Sequence, residues 1–240
     1  MKFMLRAFAL SLLIAGTFGY AQTLINPGAL TYPYTIAKSG SYKLTGNVNT
    51  GNAAAFIITA NNVTFDLGGY TISGTLNCQS AACTSSNNQY TGISATGSNV
   101  IIQNGIVNGY YTDVYDNQPG GVVQNITASN SLFGIYTDYA AVRFSSASYS
   151  TFGIYASYGN VEDCTATVNW LYNIIGVNST VLHNTVAYSP FATPIYGLYL
   201  MGGVAGSNTV YSSYGNSGVD LTMTSGAISQ KNNACTNGVC

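Results

Sequence analysis

Charge is what this chain has least of. Asp, Glu, Lys and Arg together make up 5% of its 240 residues, and there is one His and one Trp. If the first 21 residues are removed, four basic residues remain (Lys38, Lys43, Arg143, Lys231) against seven acidic ones. Nucleic-acid binding needs clustered Lys and Arg to displace counterions, so that class is excluded. After the N-terminal segment no stretch reaches the roughly 20 apolar residues of a membrane-crossing helix, so the chain is not expected to span a bilayer. Helical periodicity is also missing beyond that segment, and no Gly-rich stretch precedes a helix, which leaves no phosphate cradle. Scarce charge does not imply disorder here. Hydrophobic residues are 47% of the chain and 20 are Tyr, ample material for a core.

The N-terminal segment MKFMLRAFALSLLIAGTFGYAQ carries Lys2 and Arg6, an apolar run from Ala7 to Ala15, and small residues around Ala21. This is the layout of a secretory signal peptide, residues 1–21, and it predicts a secreted, periplasmic or surface location. In an oxidising compartment the short spacings of Cys78 with Cys83 and Cys235 with Cys240 predict two local disulfides, with Cys164 left over. A metal site built from the four paired cysteines would require the two loops to meet, and the expectation is that no metal is bound there.

What is abundant is repetition. Gly92-Ile93-Ser94, Asp113-Val114-Tyr115, Gly134-Ile135-Tyr136, Gly153-Ile154-Tyr155, Asn173-Ile174-Ile175, Gly197-Leu198-Tyr199 and Gly218-Val219-Asp220 recur at 21, 21, 19, 20, 24 and 21 residues, with Ala55-Phe56-Ile57 as an earlier member. Eight residues after each first position comes a second apolar column: Val63, Val100, Val142, Val161, Val181 and Ala205, joined by Val122 after a one-residue slip. A third column reads Asp66, Gln103, Asn125, Ser145, Cys164, Asn184 and Asn208. Apolar columns locked together over coils of about 20 residues predict an all-β, right-handed parallel β-helix of about eight coils, since each coil must point matching side chains into a shared interior. The boundaries expected are an N-terminal cap at 22–50, the β-helix at 51–224 with a disulfide loop near 75–90, and a C-terminal cap at 225–240.

The stretch SGSYKLTGNV, then NNVTFDLGGYTISG and repeated GIY and NxT coils, resembles bacterial right-handed parallel β-helix repeat proteins of the pectate-lyase-like superfamily over roughly residues 34–222. That superfamily holds polysaccharide lyases, glycosidases and esterases beside members without demonstrated chemistry, so the resemblance implies a fold more than an activity. Its lyases use a basic residue beside carboxylate-held calcium. Arg143 is the one plausible base within the coils, and it should stand beside Glu162 one coil later as an exposed ion pair.

Two functional readings follow. Strand alternation sends Tyr115, Tyr136, Tyr155 and Tyr199 outward when the aliphatic residue before each points in, and Tyr139 and Tyr158 recur in two of the same coils. Outward tyrosines suit contact with a polysaccharide, rings on sugar faces and hydroxyls in hydrogen bonds, or they merely shield the backbone. The second reading is a glycosidase or lyase. Asp113, Asp116 and Asp138 fall on adjacent coils, and a carboxylate pair about 5 to 9.5 Å apart could hydrolyse a glycosidic bond, or the three could hold calcium. Asp163 and His183 share a strand position with Phe65, Ile102 and Phe144, which predicts an inward-pointing structural pair. Three NxT/NxS-type triplets, beginning at Asn62, Asn125 and Asn178, are expected by chance in so Asn- and Thr-rich a chain.

Overall fold

The computed structural model describes residues 21–78, 83, 89–187, 196–211, 219–230 and 232–235. The expected signal peptide, apart from Ala21, and Cys240 lie outside these. Within them the chain winds into a parallel β-solenoid of about nine coils, built from 24 short strands whose pairings are all parallel. Most coils contribute a strand to each of three faces. Thr91–Ala95, Thr112–Asp116, Phe133–Asp138 and Phe152–Ser157 lie side by side on the first. Ala141–Arg143 and Asn160–Glu162 lie on the second, and Ser146–Ser148, Thr165–Thr167 and Thr185–Ala187 on the third.

The interior is organised by the column that the repeat predicts. Phe56, Ile93, Val114, Ile135, Ile154, Ile174 and Leu198 are partners in register and each is 0% exposed. Its last member is Leu221, because Leu198 pairs with Leu221 while the expected Val219 pairs with Tyr196. The second column proves to be two. Val63 pairs with Val100, but Val142 pairs with Val123, and Val123 with Ile102. Residues two apart share a face, so the offset left both columns inward, whereas Val122 faces outward and Val123 takes the core. The segment at 22–50 also pairs in register: Thr23–Ile25 lies beside Tyr42–Leu44, and Tyr34–Ile36 beside Phe56–Ile58.

Single residues with positive φ turn the chain between faces. The first corner holds Asn62, Asn99, Gly120, Tyr139, Tyr158, Asn178, Gly202 with Gly203, and Ser225 with Gly226; the second Asn104, Asn125, Phe144, Asp163, His183 and Ser207; the third Gly109, Asn130, Tyr149 and Val168. Asn and Gly tolerate this left-handed conformation, while other L-residues there cost about 1–2 kcal/mol and β-branched ones are least suited.

Just past the second corner a buried file runs through Ser145, Cys164, Asn184 and Asn208 and ends at half-buried Asn233. The backbone N–H groups of Cys164, Asn184 and Asn208 donate to the amide oxygens of Asn184, Asn208 and Asn233 at 2.9, 3.0 and 3.0 Å. The Asn184 and Asn208 amides also donate to the carbonyls of Val161 and Val181. The file satisfies backbone groups that the turn withdraws from the strand ladder. Asp66, Gln103 and Asn125, expected in it, belong elsewhere: Asp66 and Gln103 pair on the outer second face, and Asn125 is a corner residue that donates to Asn104.

Two substitutions test this layout by chemical denaturation. Ile154→Ala, in the middle of the core column, is expected to cost about 2–5 kcal/mol. Val168→Asn replaces a β-branched corner residue with the type that stands at Asn130 and is expected to gain about 1 kcal/mol; a loss there would contradict the corner assignment.

Candidate functional site

The first face carries two parallel files of aromatic rings. Tyr115, Tyr136 and Tyr155 are register partners; then come Ile175 and Tyr199. Tyr136 and Tyr155 stack at 4.6 Å with planes 7° apart, and Tyr115 tilts against Tyr136 at 5.3 Å. The second file is Phe133, Phe152, Tyr172 and Tyr196, with successive centroids 4.7, 5.7 and 5.0 Å apart and planes within 11°. Edge-on contacts link the files, Phe133 to Tyr136 at 5.5 Å and Tyr172 to Tyr199 at 5.5 Å. This second file was available in the sequence: in four successive coils an aromatic immediately precedes the Gly-Ile or equivalent pair.

The stacking changes what the face offers. The rings lie one over another, so within each file their π faces are spent on each other, and half-exposed edges and phenol hydroxyls point outward. Burial pushes the Tyr136 hydroxyl up to about 12, reinforced by Asp138 and the neighbouring Tyr155 and Tyr115. Burial and Asp138 likewise raise Tyr155. These hydroxyls therefore stay protonated and can donate hydrogen bonds.

The three acids do not share a surface. Asp113 is fully buried and accepts hydrogen bonds from the backbone N–H of Ser129 at 2.9 Å and of Tyr110 at 3.2 Å, and from the Ser131 side chain. Burial nevertheless holds its carboxyl well above the usual range. Asp116 is also fully buried, in the inward column with Ala95 and Thr137. One of its oxygens accepts from the Gln118 N–H at 3.2 Å; the other, like the Thr137 hydroxyl, has no partner. Its carboxylate fills space that a side chain on Gly121 would need. Asp138 is half-exposed beside Tyr136 and Tyr155.

Asp163 and His183 require correction. Both are exposed, at the second corner, where positive φ rotates the chain and breaks the strand alternation that predicted an inward pair. Phe144 at the same corner is 59% exposed for the same reason. Arg143 and Glu162 do stand side by side as an ion pair at 3.4 Å on the second face. In the same outer column Gln124 donates to Gln103 at 2.8 Å, and Lys43 faces Asp66 at 3.9 Å. Cys78 and Cys83 form a disulfide, and the Trp170 indole donates to the Cys78 carbonyl at 3.2 Å, tying the loop to a coil 92 residues on. Cys164 is a free buried thiol, pushed up to about 12 by burial, with its hydrogen directed at the Glu162 carbonyl. Among the described residues no group of three or more His, Cys, Asp or Glu could hold a metal, and no helix is long and apolar enough to cross a membrane.

No protein-family model matches the chain, and no curated protein matches it. Among solved structures it is similar to the Dettilon tailspike protein, with a TM-score of 0.53 at 14% sequence identity, over 90% of this chain and 54% of that one. The chain thus spans about half the length of the tailspike chain. At this identity the likeness shows the fold, a parallel β-solenoid.

The interior carboxyls make stability depend on pH. Burial pushes Asp116 up to about 7 from an ordinary 3.8, offset only partly by the Gln118 N–H. Between those values the folded protein keeps a proton that the unfolded chain releases. The contribution is therefore fully present below about pH 4 and lost as pH climbs through about 7. Asp116→Asn is expected to flatten that part of the slope in urea titrations across this window, leaving what Asp113 contributes in the same direction. An unchanged slope would show that Asp116 does not titrate there.

Proposed function

We propose that this is an exported module of the pectate-lyase-like superfamily that contacts polysaccharide at a cell surface along its aromatic face. The observation that carries the reading is the outward file of tyrosines, which presents phenol hydroxyls at one-coil intervals on a nearly uncharged surface. Hydrogen bonding of such hydroxyls to sugar oxygens, with ring edges against the chain, needs no rearrangement on binding. The expected N-terminal signal segment and the disulfide between Cys78 and Cys83 fit an oxidising, extracytoplasmic setting.

The rival reading, glycosidic cleavage through Asp113, Asp116 and Asp138, needs two carboxylates in one cleft. Asp113 and Asp116 are enclosed and Asp138 lies with the tyrosines, which favours binding over cleavage. Calcium held by these three acids is disfavoured by the same arrangement.

The test is a glycan array followed by calorimetry on the strongest hits. Tyr136→Phe with Tyr155→Phe keeps the ring stack and removes two hydroxyls. At about 1 kcal/mol per net hydrogen bond, affinity is expected to fall on the order of 10-fold or more with unfolding unchanged. Wild-type affinity in that variant would discard the hydroxyl file as the contact surface, and bond cleavage in the hits would restore the enzymatic reading.

A further inference from the structure

The first corner departs from its own rule at two adjacent coils. Seven of its ten left-handed positions are Asn or Gly and one is the small Ser225; the other two are Tyr139 and Tyr158, with φ of 62° and 53°. Neither ring is needed by the core: they are 53% and 55% exposed, and they stack on each other at 5.2 Å with planes 10° apart. An unfavourable backbone conformation held by two large exposed side chains is the kind of outlier that marks a working surface.

The pair walls a recess of about 300 Å³, whose lining also takes in Gly120 to Val122, Ala140 and Ala141, and Gly159 and Asn160. Three features set its chemistry. The corner neighbour of Tyr139 on the preceding coil is Gly120, so no side chain from that position covers the outer side of the ring stack. A Cβ there would meet the Asn99 amide oxygen. The recess is therefore bordered by an aromatic surface and by Asn160, and none of its lining residues is charged.

We propose that this recess is a binding subsite for one neutral pyranose unit of a polysaccharide, packed against the Tyr139 and Tyr158 rings with its hydroxyls toward Asn160. The assignment rests on the glycan-contact reading above and places the sugar-stacking element on the side of the Tyr139 ring turned away from Tyr158, toward Gly120. A uronic acid is disfavoured because the lining holds no cation to meet its carboxylate.

The experiment is affinity gel electrophoresis of the full chain in gels containing hydroxyethyl cellulose, mannan, dextran or polygalacturonate. Two double variants run alongside the wild type: Tyr139→Asn with Tyr158→Asn, and Tyr136→Phe with Tyr155→Phe. Asn is native to this corner, so the first pair keeps or raises the melting temperature while removing both rings. Retardation by at least one neutral polysaccharide is expected, with a loss of 10-fold or more in apparent affinity for the corner variant. Full retention in the corner variant with loss in the Phe variant overturns the subsite and leaves the glycan-contact function standing. Retardation by polygalacturonate alone overturns the neutral-sugar assignment. No retardation of the wild type by any of the four overturns both. Self-association in sedimentation that the corner variant abolishes would give the recess to a second copy of the chain and also overturns the subsite.

Discussion

Each coil of this protein must lay its side chains over those of the coil before it. Parallel strands in register allow nothing else: a position is set once for the whole stack, and successive coils meet at about 4.8 Å. An aliphatic column then fills the interior, an amide file forms where a corner leaves backbone groups unpaired, and aromatic rings on the outside stack because their coils are already stacked. The same constraint explains the thinness of charge. Like charges one coil apart would repel at close range, and the charged residues that do occur in the outer second-face column alternate in sign, as in Lys43 with Asp66 and Arg143 with Glu162. Hydration falls instead to hydroxyls and amides, as on the third face, where Thr127 and Ser146 are hydrogen-bonded across adjacent coils.

Corners are where the stack admits variety. A single left-handed residue turns the chain and places its side chain in solvent, so what stands there is free of the core. Asn and Gly are the unstrained choices, and Tyr139, Phe144, Tyr149, Tyr158, Asp163, Val168, His183, Ser207 and Ser225 depart from them. Six of these departures fall on two adjacent coils. The middle of the solenoid thus combines a uniform interior with its least uniform rim, and the recess beside Tyr139 sits on that rim.

The sequence made the aliphatic column legible because period and chemistry agree there: Ile135, Ile154 and Ile174 recur beside Gly or Asn at nearly constant spacing. It misled where spacing alone was used. Val63 and Val142 hold the same offset from their repeat motif, yet the earlier coils carry two more residues in the ladder, so the two valines lie in different inward columns. Alternation failed at His183 and Asp163 because a positive φ interrupts it, and that torsion leaves no mark in residues other than Asn and Gly. Asp113 and Asp116 looked available because they fall with Asp138 on adjacent coils; their enclosure depends on Gly121, Ser129 and Ser131, which come from neighbouring parts of the stack. The outward tyrosines were legible, but whether their faces or their edges are offered depends on ring rotation, which no spacing encodes.

The register itself can be measured most directly by cross-linking. Gln124 and Arg143 are partners on adjacent coils of the outer second face, and Glu162 is the next partner after Arg143. Gln124→Cys with Arg143→Cys places two thiols within the roughly 4.4–6.8 Å Cα separation that a disulfide spans, while Gln124→Cys with Glu162→Cys places them about two coil spacings apart. Mild oxidation of the folded protein should close the first pair and leave the second open. Equal closure of both pairs, or closure of the second alone, would contradict the stacking from which the rest of the structure follows.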